Sequence, residues 1–232
     1  MPLLTPFETE ALLLSLKVAV AAVACSLPLA IAVAWVLARK EFPGKSLFNA
    51  LVHLPLVVPP VVIGYLLLVT LGRRGVIGAW LDETFGIVIA FTWIAAAVAS
   101  GVMAFPLMVR AIRLSIEAVD ERLEAVARTL GASTIRVLLT VTLPLTLPGI
   151  VAGMALAFAR CLGEFGATIT FASNIPGVTR TLPLALYTAI NMPGGEPNAL
   201  RLVVISLVLA FVALAVSEIM ARRVARMITG IG

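Results

Sequence analysis

Residues 119–133 read Val-Asp-Glu-Arg-Leu-Glu-Ala-Val-Ala-Arg-Thr-Leu-Gly-Ala-Ser, a mixed-charge stretch set between two strongly apolar ones. Asp120 is placed to cap a helix N-terminus, and Glu121 and Glu124 follow where the helix dipole favours negative charge. Gly131 stands where a left-handed residue ends such a helix. Leu123, Val126, Ala127 and Leu130 recur at i, i+3, i+4 and i+7, so one face is apolar and the rest carries charge. The pattern predicts a short amphipathic helix over about 120–131. At roughly three turns of ~3.6 residues it is marginal alone in water and needs a surface to pack on. The lipid surface, the protein's own bundle and a partner protein are all open as that surface.

Working outward, the flanks decide the fold class. Of 232 residues, 61% are hydrophobic and 12% charged, and the mean hydropathy is +1.12, more apolar surface than a soluble domain of this length buries. The expected fold is an all-α integral membrane protein, one transmembrane domain over residues 1–232. Five apolar runs, 11–38, 47–71, 87–109, 138–165 and 202–220, have the length of bilayer spans. The first is too long for the core of a cleaved signal peptide and is expected to stay in the mature protein.

Five crossings put the two ends on opposite sides. With the N-terminus outside, eleven cations from Arg39 to Arg226 lie inside, against Arg73, Arg74, Arg180 and Arg201 outside. The predicted topology is therefore N-out, C-in, which places the 120–131 helix in the cytoplasm. The +5 net charge answers to this topology, and nucleic-acid binding is excluded on that ground.

Two stretches depart from plain spans. Pro55, Pro59 and Pro60 interrupt the second, each removing a backbone hydrogen bond, which predicts a bend for packing or for a pathway. Residues 165–199 are rich in Gly, Pro and Asn around an amphipathic piece at 182–190, too short to span, expected outside or dipping part-way in.

No catalytic set emerges. Gly44-Lys45-Ser46 ends like a phosphate loop, but Arg39 stands where its first glycine belongs and no strand precedes it. His53 is the single histidine, without acidic or cysteine neighbours at metal-ligand spacing, and Cys25 and Cys161 lie apart within apolar runs. Arg160 and Glu164 share one face of the fourth span, as a self-contained ion pair or as part of an oxyanion path. Gly149-Ile150-Val151-Ala152-Gly153 offers a small-residue surface for internal packing or a dimer seam.

After Gly131, nine residues lead to Val141-Thr142-Leu143-Pro144. This resembles the signature loop of ABC-transporter permeases: Glu-Ala-Ala, three residues, Gly, nine residues, Ile, one residue, Leu-Pro. Here Ala125-Val126-Ala127 fills the first triplet, Glu124 stands one place early, and Val141 replaces Ile. The segments 39–46, 54–60, 123–132, 163–167 and 182–185 together resemble the permease subunit of molybdate ABC importers, with sulfate and thiosulfate permeases next. The resemblance implies a type I importer permease in the inner membrane, paired with a second copy around a central path. It further implies two cytoplasmic ATPases that bind ATP and Mg, an external molybdate-binding protein, and neither a cofactor nor enzyme activity in this chain. The ATPase-coupling residues would be Leu123, Glu124, Val126, Ala127, Arg128, Leu130 and Gly131, and the translocation path would include Pro59, Pro60, Arg160 and Glu164. The alternatives are a sulfate, thiosulfate or tungstate permease, a carrier driven by an ion gradient, and a non-transporting sensor. A gradient-driven carrier predicts intramembrane carboxylates and an internal repeat; only Glu164 lies clearly within a span, and no repeat is evident.

Overall fold

A computed structural model describes residues 4–229, and every regular element among them is helical. In chain order these are α1 (Pro6–Arg39), α2 (Lys45–His53), α3 (Pro60–Leu71), α4 (Val76–Phe85), α5 (Trp93–Glu117) and α6 (Glu121–Thr129). Then come α7 (Thr134–Val137), α8 (Leu143–Leu162), α9 (Gly166–Phe171), α10 (Leu182–Asn191) and α11 (Glu196–Thr229). Side chains beyond residue 216 are described only at 219 and 223.

The core is α5 clasped between α1 and α8. Small residues allow the approach: Ala95, Ala96, Ala99 and Ala104 are fully or almost fully buried on α5. Gly153 faces Met108 and Ile112, while Gly149 faces Ser115 and Ala111. With no lipid-versus-core hydrophobic difference to drive association, close backbone packing of this kind holds membrane helices together. The small-residue surface at 149–153 is thus spent on packing α8 against α5. Toward the α6 end of the bundle the core is filled by Leu37, Met108, Ile112 and Ile116.

Two ion pairs order the ends. Arg39, the last residue of α1, bonds to Glu124 of α6, and Arg201, early in α11, bonds to Glu8 in the first turn of α1. The end of α1, the end of α5 and the start of α7 therefore share one side, and the starts of α1, α5 and α11 share the other. The chain must cross once between Arg39 and Trp93. The α2–α3 pair makes that crossing as a broken span bent by 106°. With the four long apolar helices this gives the five crossings read from the sequence.

The bend falls where the prolines predict. A 3-10 turn (Leu54–Leu56) ends α2, and the α-helical ladder resumes only where Val62 and Ile63 donate to the Pro59 carbonyl. Pro59 and Pro60 bring no N–H of their own, so the break leaves fewer donors to satisfy. Beyond it, α3 lies on α9, with Gly64 against Ala167 and Thr170, and Gly166 against Pro60.

Boundaries shifted where local chemistry was not visible in hydropathy. The third span starts at Trp93, capped by Thr92, because residues 76–85 form a separate helix that Gly86 ends in the left-handed conformation. The fourth starts at Thr134 and runs to Leu162 through a π turn at Leu138–Thr142. Pro144 explains the widened turn: its ring would clash with the carbonyl four residues back. α10 starts against the side of α1, where its Leu182 N–H donates to Ser15 Oγ at 2.7 Å. Ser15 is nine residues into α1, about 14 Å along its axis.

Candidate functional site

α6 forms as its spacing predicts. The Asp120 carboxylate accepts from the Arg122 N–H at 2.9 Å. At the other end Gly131 takes φ +86°, its N–H donates to Arg128 O, and the Ala132 N–H donates to Ala127 O at 3.1 Å. Both bonds of a Schellman ending are present, and the left-handed residue between them is glycine for steric reasons.

The helix has two unlike faces. Leu123, Val126 and Leu130 point outward, at 50%, 58% and 83% exposure, with Ile135 of α7 also exposed nearby. Arg128 is half exposed, Ala127 is half-buried, and Gly131 lies on the surface. Apolar side chains beyond the end of the apolar spans gain nothing from water, so this face is built to be covered.

Glu124 is 2% exposed and faces the opposite way. Its Oε1 accepts from Arg39 Nε at 3.1 Å and from Thr142 Oγ1 at 2.9 Å, and its Oε2 accepts from Arg128 Nη2 at 3.0 Å. Arg39 also donates to Val119 O at 3.0 Å and to Glu121 at 3.3 Å. One buried carboxylate thus joins α6 to the end of α1 and to the π turn that opens α8. A charged pair fully hydrogen-bonded in this way is costly to break from either side. Of the residues singled out for coupling, Glu124 is therefore the internal anchor rather than part of the outward face. In the sequence Arg39 reads as a topology charge, and Thr142 carries no signal. The only hint was that Glu124 precedes the signature triplet by one place, a rotation of about 100°.

The second candidate group gathers around α9. Arg160 Nη1 lies 2.7 Å from Glu164 Oε2, with the carboxylate buried. Glu164 Oε1 accepts from the Ala167 N–H at 2.8 Å, capping the first turn of α9. Pro60 touches the same turn through Gly166. Pro59 is exposed at the bend and Pro60 half-buried. The proline break and the ion pair thus meet at α9, which spacing in the sequence did not reveal.

Elsewhere the structure supplies ordinary roles. Gly44, at φ +89°, precedes α2, and Lys45 pairs with Glu41 at 2.6 Å. His53 Nδ1 lies 2.9 Å from the Asn49 carbonyl oxygen. Among the described residues no three His, Cys, Asp or Glu side chains gather as a metal site would require.

A five-crossing helical bundle, with an apolar helix face presented beyond one end of its spans, is the layout of a transporter's membrane component. The chain matches the family of binding-protein-dependent transport system inner membrane components over residues 26–226 and belongs to it. It is a multi-pass membrane protein of that family.

Its relatives narrow the comparison. It is 61% identical over 220 residues to the molybdenum transport system permease protein ModB of Escherichia coli K12, covering 95% of this chain and 96% of the relative. The Haemophilus influenzae protein of the same name is 57% identical over 216 residues, covering 93% and 94%. Among solved structures, a bacterial alginate ABC transporter, in complex with an alginate pentasaccharide-bound periplasmic protein, superposes with TM-score 0.74 at 17% identity. That match covers 95% of this chain and 80% of the other, and it shows the fold of an ABC importer permease.

Proposed function

We propose that this chain is the membrane subunit of an ATP-driven molybdate importer. It works as a pair of copies around a central path, N-terminus outside, with two cytoplasmic ATPases that bind ATP and Mg and an external protein that delivers the oxyanion. The observation that carries the substrate is the near full-length likeness to molybdenum permeases. The mechanical part rests on α6: its outward face of Leu123, Val126 and Leu130 suits an ATPase groove, and its inward face is tied to two spans.

In this reading, ATP binding draws the ATPases together and moves the α6 helices with them. The Arg39–Glu124–Thr142 junction passes that displacement to α1 and α8 instead of letting α6 swing free. Because α1 and α8 both clasp α5, the three tilt as a unit and the path changes the side to which it opens. Arg160 is already neutralised by Glu164 and contributes position more than attraction for an anion.

The test is uptake of labelled molybdate at low external concentration, in cells expressing the chain with its ATPase and binding protein. Uptake that withstands excess sulfate and disappears without the ATPase is expected. Uptake abolished by sulfate moves the substrate to sulfate, competition by equimolar tungstate widens it to both metal oxyanions, and uptake without any ATPase refutes the reading.

A further inference from the structure

A cleft of about 530 Å³ opens on the inward side of α6, between the end of α1 and the start of the α7–α8 helix. Arg39, Lys40, Arg122 and Arg128 line it, opposed by only two carboxylates, Glu121 and Glu124. Arg39 and Arg128 are engaged with those carboxylates. Lys40 and Arg122 are exposed, and among the described residues neither has a carboxylate within ion-pair distance. The cleft therefore keeps two uncommitted positive charges.

Its position is as informative as its charge. At about 100° per residue, Glu121, Glu124, Ala125 and Arg128 fall on one side of α6, and Leu123, Val126 and Leu130 on the other. Arg122 falls between the two sides, at the rim of the cleft, so a partner seated on Leu123, Val126 and Leu130 borders the cleft at Arg122 and does not reach its α1 wall of Trp35, Arg39 and Lys40. Trp35 also lines it, with Lys40 Nζ 5.2 Å from the ring centroid, at the end of the α1 apolar run. Tryptophan followed by basic residues at the end of a span marks the level of lipid headgroups.

We propose that this cleft binds the phosphate of an anionic phospholipid from the adjoining leaflet, held by Lys40 and Arg122, with Trp35 against the glycerol region. A free phosphate has the same charge chemistry, but it leaves Trp35 and the membrane-level mouth unused. A lipid seated there bridges the end of α1 to α6 alongside the Arg39–Glu124 bond. It stiffens the link that passes motion into the spans, so anionic lipid raises the substrate moved per ATP hydrolysed.

The experiment uses the assembled transporter reconstituted in phosphatidylcholine with increasing phosphatidylglycerol, reading retained lipid by native mass spectrometry and the ratio of uptake to hydrolysis. Wild type is expected to retain phosphatidylglycerol and to couple better as it increases. Lys40→Gln or Arg122→Gln should each weaken retention of phosphatidylglycerol about five-fold, and the pair about 25-fold, with the coupling response weakened in the same order. Lys40→Arg and Arg122→Lys should restore the wild-type response. A variant that fails to assemble is identified by lost hydrolysis in pure phosphatidylcholine. The wild type alone still tests the idea, because raising salt from 0.1 M to 1 M shortens screening from ~10 Å to ~3 Å and should weaken the lipid response. The proposal is overturned if wild type ignores phosphatidylglycerol, if the neutralised variants respond like wild type, or if inorganic phosphate in pure phosphatidylcholine reproduces the effect.

Discussion

Replacing Glu124 with Ala removes the acceptor for Arg39, Thr142 and Arg128 at once. Removing one member of a buried, hydrogen-bonded ion pair costs about 3–5 kcal/mol, mostly because the other charge is left buried. The Arg39 side chain is 9% exposed and keeps the Val119 carbonyl and the exposed Glu121, so the lower end, about 3 kcal/mol, applies. Arg128, at 53% exposure, adds less than about 1 kcal/mol. About 3 kcal/mol is roughly a 100-fold shift in the docking equilibrium of α6. Hydrogen exchange of the 121–129 amides in the assembled transporter should accelerate by about that factor, while α5 amides stay protected. Uptake should fall and ATP hydrolysis should continue, since the outward apolar face is intact. Glu124→Gln keeps an acceptor for Thr142 and Arg39, so about half the effect is expected. Arg39→Ala combined with Glu124→Ala should cost clearly less than the sum of the two, because neither charge is then left alone. If exchange in α6 is no faster in Glu124→Ala than in the surface variant Thr129→Ala, the junction does not hold the helix.

Leu130→Glu puts a charge on the most exposed apolar residue of the outward face, at the C-cap of α6, and should leave the fold unchanged within about 0.5 kcal/mol, while pull-down of the ATPase weakens at least ten-fold. Gly149→Leu drives a side chain into Ser115 of α5, and its thermal midpoint in detergent should drop by an amount equivalent to about 3 kcal/mol. Arg160→Ala strands the buried Glu164, so about 3 kcal/mol of stability should be lost with the substrate concentration for half-maximal uptake unchanged. A large rise in that concentration in a stably folded Arg160→Ala protein would instead place Arg160 in the oxyanion path.

What the sequence disclosed were features set by local rules. Asp120 and Gly131 bound α6 because capping and left-handed turns depend on neighbours within a few residues. The bend at Pro59 and Pro60 follows from missing donors, and the spans follow from run length. Long-range placement was not legible. α4 was hidden because its ten residues, apolar at first and then carrying Asp82, Glu83 and Thr84, read as a loop between two spans. The inward turn of Glu124 depends on Arg39, 85 residues away, and on Thr142, whose direction is set by a π turn that no periodicity records. For the same reason Pro60 and the Arg160–Glu164 pair could each be singled out but not joined through α9.

That division bears on where motion can enter the molecule. The α1–α5–α8 core is closely packed on small residues and resists deformation, because shifting any one helix opens voids along two seams. By contrast, α11 keeps most of its hydrophobic face exposed, and α3 hangs on the core chiefly through α9. A push on α6 therefore reaches the rigid part first, through Glu124. Relative motion is then left to the bend at Val57–Pro59 and to the contact of Pro60 with Gly166. Gly166 lies in the turn that Glu164 caps, so under the proposed mechanism the buried Arg160–Glu164 pair sits at the joint between the moving core and the broken span. A bulky residue at Gly166 should then obstruct opening even though it is far from α6: Gly166→Val should lower uptake and leave ATPase binding intact. Gly166→Val variants that transport at the wild-type rate would show that the α3–α9 joint does not move.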